Sequence, residues 1–300
     1  EVRDKVVTGE SIADALAEYR QFFDLVYISM VRVGEVTGTL GETLATIAAF
    51  MEKRQRLETK MTTVMIYPVL LTFVCLVVVI VLMVWVIPKI TEQLIKTGQE
   101  LPWLTTTLMK LSAVMTSWWV LAVIAGLAAV ILVYRRLVQT DRGAFLRDKL
   151  VLSLPGFGPL LRQRILQRFT STLATLMGSG LSMAESMKVV SQVTGNRVMA
   201  DAVKKARERI LSGSDIATPL RDSGVIDPSI AHMITVGEKS GELEQMLNMI
   251  SDNLEASSDL VIERLSAIVE PVIIILMAFI VGIIVFATFI PLFQYSTTQF

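Results

Sequence analysis

The sequence predicts an all-α membrane protein: tandem cytoplasmic helical bundles joined to three transmembrane helices. Three observations predict it. Hydrophobic residues make up 53% of the 300 and charged residues only 19%, with the apolar side chains gathered in long uncharged runs, a composition that points to a membrane protein. An eight-residue glycine pattern is written twice, as expected of a repeated structural unit. No stretch alternates apolar and polar residues as a half-buried strand does, while helical spacing recurs throughout.

The repeat fixes the frame. Val33-Gly34-Glu35-Val36-Thr37-Gly38-Thr39-Leu40 returns 203 positions later as Val236-Gly237-Glu238-Lys239-Ser240-Gly241-Glu242-Leu243. Without a gap, Met30 matches Met233, Leu44 matches Leu247 and Ile47 matches Ile250. Farther on, Pro68 falls on Pro271, Val78 on Val281, Ile87 on Ile290 and Pro88 on Pro291. Upstream, Gly9 with Ile12, Ala13 and Leu16 resembles Gly213 with Ile216, Ala217 and Leu220, one residue off that register. Residues 162–204 then have no counterpart in the first copy, and the chain is expected to be N-terminally truncated by that much.

Residues 1–63 form the first helical repeat, polar at first and then amphipathic, with Leu40, Leu44, Ile47 and Met51 on one stripe. A basic collar of Lys53, Arg54, Arg56 and Lys60 precedes an uncharged run, 64–87, long enough to span a bilayer. Pro68 near its start suggests a kink or a fresh helix start, and Pro271 marks the same place in the last run. Residues 88–117 read as a short polar hairpin with Gly98 and Pro102 as turn signals. The uncharged run 118–134 is bracketed by Trp118, Trp119 and Tyr134, fitting aromatic belts at its two ends. Residues 135–264 hold the second repeat, entered through a linker at Pro155-Gly156-Phe157-Gly158-Pro159. Punctuation places helices at Arg162–Met177, from Ser182 to near Gly195, at Arg197–Leu211, a short one before Gly224, and one from Pro228 to Gly237. A long helix starting near Gly241 carries Leu243, Leu247, Ile250 and Leu254 on one stripe and leads into a third apolar run, 268–295.

Lysine and arginine crowd the ends of the runs that face residues 1–63 and 135–264. The excess of positive charge on the cytoplasmic side therefore puts both repeats in the cytoplasm, with 88–117 and the tail outside. Formal charge is balanced, 28 basic against 28 acidic residues, so nothing draws the chain to nucleic acid. One cysteine, Cys75, and one histidine, His232, leave no multi-residue metal site of the Cys/His kind.

The glycine pattern is the candidate site: Gly34, Glu35, Gly38 and Leu40, with Gly237, Glu238, Gly241 and Leu243. Gly34 and Gly237 sit where an apolar helix is expected to stop, since glycine accepts the left-handed turn that closes a helix. Gly38 and Gly241 let the chain reverse before the next helix. Each acid should lie near the following helix N-terminus, where a carboxylate is favoured by about 0.3–1 kcal/mol. Two readings coexist: a tight corner between helices, and a partner-docking point at Glu35 or Glu238. Enzyme readings fail on chemistry. Gly237-Glu238-Lys239-Ser240 lacks the Gly-Lys-Ser/Thr of a phosphate loop, and no charged residue lies at bilayer depth in the three runs to carry intramembrane proteolysis or ion transport, Glu270 standing only at the mouth of the third. No cofactor is expected. A small polytopic transporter or channel subunit is the alternative class. Independently of that choice, Ala122–Gly126 and Ala278 with Gly282 offer small-residue faces for helix contacts.

Paired V-G-E-x-x-G-x-L units, each leading through an amphipathic helix to a proline-marked span that ends in Ile-Pro, resemble the GspF/PilC family. Gly98-Gln99-Glu100-Leu101-Pro102 and the stretch Arg168 to Gly180 resemble it too. That resemblance implies a multi-pass platform protein of the bacterial inner membrane, serving type II secretion systems and type IV pili. It implies a homo-oligomer that contacts a cytoplasmic assembly ATPase, pilin or pseudopilin subunits, other inner-membrane assembly proteins and membrane lipids. Its role would be to couple the ATPase to the extraction and polymerisation of those subunits.

Overall fold

The computed structural model describes residues 1–96, 103–117, 119–138, 140–155 and 157–297. The turn expected at Gly98 to Pro102, together with Trp118 and Gly156, lies outside them. Among the described residues every regular element is helical. In the first part these are α1 (Val2–Val7), α2 (Ile12–Ala17), α3 (Leu25–Thr37) and α4 (Leu40–Val81), followed by a π turn (Leu82–Val86). Next come α5 (Ile87–Lys96), α6 (Trp103–Thr116), α7 (Trp119–Val138), α8 (Asp141–Leu152) and α9 (Phe157–Gly178). The last five are α10 (Met183–Val193), α11 (Arg197–Leu211), α12 (Ala217–Asp222), α13 (Pro228–Ser240) and α14 (Leu243–Thr297).

These elements divide into two compact units. The first takes residues 1–58 and 137–262, so both copies of the repeat contribute to it. One buried cluster runs through it, with Val26, Ile28 and Met30 of α3, Leu166, Phe169 and Leu173 of α9, Met199 and Val203 of α11, and Leu247 and Ile250 of α14. Helix α3 packs on α9 and α10, α10 on α11, and α8 on both α9 and α11. Helix starts are set by short polar side chains that take an otherwise unpaired N–H. Ser11, Asp24, Thr140, Ser182 and Asn196 each accept a backbone N–H at the head of their helix. The basic collar on α4 is partly used inside this unit: Lys53 pairs with Asp252 at 2.6 Å and Arg54 with Asp24 at 2.7 Å.

Of the proline- and glycine-rich stretch expected to be a linker, the residues from Phe157 onward are helical. Helix α9 already begins at Phe157, and Pro159 occupies its first turn, where a missing N–H costs nothing. A methyl on Gly158 would come within 2.4 Å of the Leu152 carbonyl oxygen, so this glycine lets α8 and α9 approach.

The second unit takes residues 59–136 and 263–300. Two helical stretches here are long and apolar enough to cross a membrane, within Leu40–Glu92 and Leu243–Phe289. Only 11% and 17% of their most apolar windows is buried. The core helix of a soluble protein hides its apolar side chains, whereas these display them. Helix α7 likewise exposes Val123, Leu127, Val130 and Leu132. Pro68 and Pro271 both lie inside continuous helices, which rules out a fresh helix start at Pro68. The Tyr67 hydroxyl donates to Glu270 at 2.9 Å, a bond between two positions 203 apart that each precede a repeat proline. The segment expected to be a polar hairpin is two helices, α5 and α6, packed on each other. With the π turn and the end of α14 they enclose a second buried cluster of Met83, Ile87, Leu108, Ile284 and Ala287.

Candidate functional site: the repeated glycine corner

The two copies of the glycine pattern build the same corner, and each residue in it has a distinct task. Gly34 and Gly237 do not end their helices, contrary to the sequence expectation. Both are buried inside α3 and α13. What they provide is room. A methyl on Gly34 would stand 2.8 Å from Thr43 Cβ and 3.2 Å from Leu40 Cα; one on Gly237 would stand 2.8 Å from Met246 Cβ and 3.1 Å from Leu243 Cα. The backbone of the next helix therefore crosses directly over each glycine. The helix ends are Gly38 and Gly241, at φ 72° and 76°, the left-handed conformation that glycine adopts without strain. The Glu242 N–H then donates back to the Gly237 carbonyl at 3.0 Å, closing the turn. Leu243 enters the core and Leu40 packs against it.

The acids reach backwards, not forwards. Glu35 Oε1 accepts from the Ile12 N–H at 2.8 Å, while its Oε2 accepts from the Ala13 N–H at 3.2 Å and the Ser11 hydroxyl at 3.0 Å. In the second copy both oxygens of Glu238 accept from the Ile216 N–H at 3.1 Å. Each carboxylate thus caps the helix just before its own, α2 or α12, instead of the helix that follows it. A carboxylate there satisfies N–H groups that a helix leaves unpaired and complements the positive end of its dipole. The Ile12 N–H, with help from Ala13, Ser11 and the nearby Arg32, holds the Glu35 carboxyl below its ordinary pKa against the opposing effect of burial.

Ser11 and Asp215 lie outside the glycine pattern, yet they stand in the same place and each accepts the N–H three residues on, from Asp14 and Thr218. Hydrogen bonds from Thr218 hold the Asp215 carboxyl low. The visible signal was the repeat itself, since Ser11 and Asp14 align with Asp215 and Thr218 in the register of Ile12 and Ile216. Thr43 and Met246, which press on the buried glycines, carried no signal beyond that register. His232 is exposed on α13. Among the described residues no group of three or more His, Cys, Asp or Glu side chains gathers in a metal-binding arrangement.

Both copies of the corner fall in stretches of the chain that match a family of known proteins. The model of the family described as type II secretion system (T2SS), protein F, matches residues 1–88 and 169–291, one copy of the corner in each stretch. A type IV pilus assembly protein PilC from Myxococcus xanthus is 33% identical over 98% of this chain and 70% of its own length. Type II secretion system protein F from Pseudomonas aeruginosa is 34% identical over 97% of this chain and 72% of its own length. The Vibrio cholerae protein of the same name is 34% identical over 98% and 72%. With two matched stretches covering most of its length, the chain belongs to the type II secretion system protein F family.

Proposed function

We propose that this chain is an inner-membrane platform subunit of a type II secretion or type IV pilus assembly machine. It contributes positions and mechanical contacts, while the hydrolysis that drives the machine occurs in a partner. The observation that carries the reading is family membership joined to the exposed apolar helices of the second unit. In this reading the apolar parts of α4, α7 and α14 are the three membrane spans, with unit one in the cytoplasm. That both glycine corners draw on one buried core supports their lying on the same side of the bilayer. The names of the relatives, pilus assembly and secretion proteins, support a place within such a machine. Coupling of a cytoplasmic assembly ATPase to the extraction and polymerisation of pilin or pseudopilin subunits would pass through unit one, with further copies of the chain and other inner-membrane assembly proteins alongside.

Deleting the gene from its host tests this directly. The expected outcome is loss of pilus fibres or of type II secretion, with the pilin or pseudopilin pool still present in the membrane, and recovery when the intact chain is returned. Normal fibres and normal secretion in the deletion strain would refute the platform role. Reconstitution into liposomes separates it from a transporter, because ion or solute flux through the purified chain would favour the latter.

A further inference from the structure

Two apolar helices of the second unit end their hydrophobic runs at an Ile-Pro pair, Ile87-Pro88 and Ile290-Pro291. Proline has no N–H, so one carbonyl a turn earlier loses its helical partner. Helix α14 continues to Thr297, and there the carbonyl belongs to Ala287, four residues before Pro291. In the first helix the backbone has widened into the π turn, where the Ile87 N–H donates to the Leu82 carbonyl five residues back. In that register the partner missing from Pro88 leaves the Met83 carbonyl free, where an α-helical register would have freed Val84. Met83 and Ala287 are both buried, amid Ile87, Leu108 and Ile284. A buried carbonyl without a donor costs about 1–3 kcal/mol, and no water relieves it in a hydrocarbon layer.

One helix answers both. Thr105 Oγ1 donates to the Ala287 carbonyl at 2.6 Å, and Ser112 Oγ donates to the Met83 carbonyl at 2.5 Å. Both side chains are buried, and they share one face of α6 with Leu108, at spacings of three and four residues. We infer that α6 is a clasp: the hydroxyls of Thr105 and Ser112 are positioning groups that stand in for the N–H groups Pro88 and Pro291 lack, and so hold the ends of the two repeat-related apolar helices together. The π turn is part of the device, because it presents Met83 instead of Val84 to Ser112. The prolines are what make the clasp specific. Without them both carbonyls would have donors within their own helices, and these two hydroxyls of α6 would meet acceptors already served. This inference concerns the second unit alone and stands independently of the platform reading.

A double-mutant cycle on the purified full chain in detergent micelles tests it. Thr105→Val keeps the shape and removes the donor, and is expected to lower the apparent unfolding midpoint by about 2–4 °C; Thr105→Ser, which keeps the donor, retains more of the midpoint. In a Pro291→Ala background the restored N–H at position 291 takes the Ala287 carbonyl, so Thr105→Val shifts the midpoint far less. Ser112→Ala is expected to behave in the same way against Pro88→Ala, and it supplies the cycle should either proline variant fail to insert. Equal shifts with and without the proline would overturn the clasp, as would a Thr105→Ser midpoint at or below that of Thr105→Val.

Discussion

Placing a methyl on Gly237 sets two effects against each other. Alanine is a better helix former than glycine by about 1 kcal/mol, but the added carbon would stand 3.1 Å from Leu243 Cα, which belongs to backbone and cannot swing aside. Overpacking of this kind costs about 1–3 kcal/mol, so Gly237→Ala is expected to lower the unfolding midpoint. Gly241 fails for another reason: its φ of 76° lies in the left-handed region, which costs an ordinary residue about 1–2 kcal/mol. Asparagine tolerates that region, so Gly241→Asn should be milder than Gly241→Ala, while Gly237→Asn should be no milder than Gly237→Ala. Thermal unfolding of the four variants checks both roles, and a stabilised Gly237→Ala would mean that the close approach is absent. Glu35 adds a pH signature. Its folded pKa is depressed, so its stabilisation is present above the ordinary carboxyl pKa of about 4.3 and is lost as pH falls through the folded value. Glu35→Gln should therefore cost about 1 kcal/mol at neutral pH, and the gap from wild type should close on acidification. A gap independent of pH would contradict the capping role.

Helical elements show how one pattern can be spent in two ways. Leu44 and Met51 in the first copy hold the same register as Leu247 and Leu254 in the second. Leu247 is fully buried, yet Leu44 and Met51 are 42% and 50% exposed, with Ile47 between them buried. A stripe in the sequence states that a helix has an apolar side; what covers that side is decided elsewhere in the chain. Leu247→Ala should accordingly cost about 2–5 kcal/mol and Leu44→Ala no more than about 0.5 kcal/mol, as read from denaturant or thermal unfolding in micelles. Similar losses at both sites would mean that the stripe around Leu44 is covered after all. The same limit explains the corner. Two glycines four apart look alike in sequence, and only the backbone angle at Gly38 and Gly241 and the crossing over Gly34 and Gly237 tell a helix end from a helix contact. It also explains Pro155 to Pro159, whose composition suits a flexible linker but whose Gly158 serves a tight approach of α8 to α9.

On the scale of the whole molecule, local chemistry was legible and long-range pairing was not. The span of α11, the Ser182 cap of α10 and the long run of α14 follow from capping residues and periodicity. The helical character of residues 103–116 was hidden because Thr105, Thr106, Thr107 and Ser112 give the segment a polar composition. The structure spends two of those hydroxyls, Thr105 and Ser112, on carbonyls of distant helices. The reach of Glu35 back to α2 was hidden for a similar reason, since it bonds residues 22 to 24 positions upstream. The joining of residues 1–58 with 137–262 in one unit is the most global of these facts, and the proposed topology depends on it. Single cysteines in place of Val36 and Val236, each exposed beside its own corner, in a chain with Cys75 replaced, put that topology to the test through a membrane-impermeant maleimide applied to spheroplasts. Both positions should stay unlabelled until the membrane is permeabilised and then react together; labelling of one corner from outside while the other stays protected would contradict a platform whose two repeats work on the same side of the bilayer.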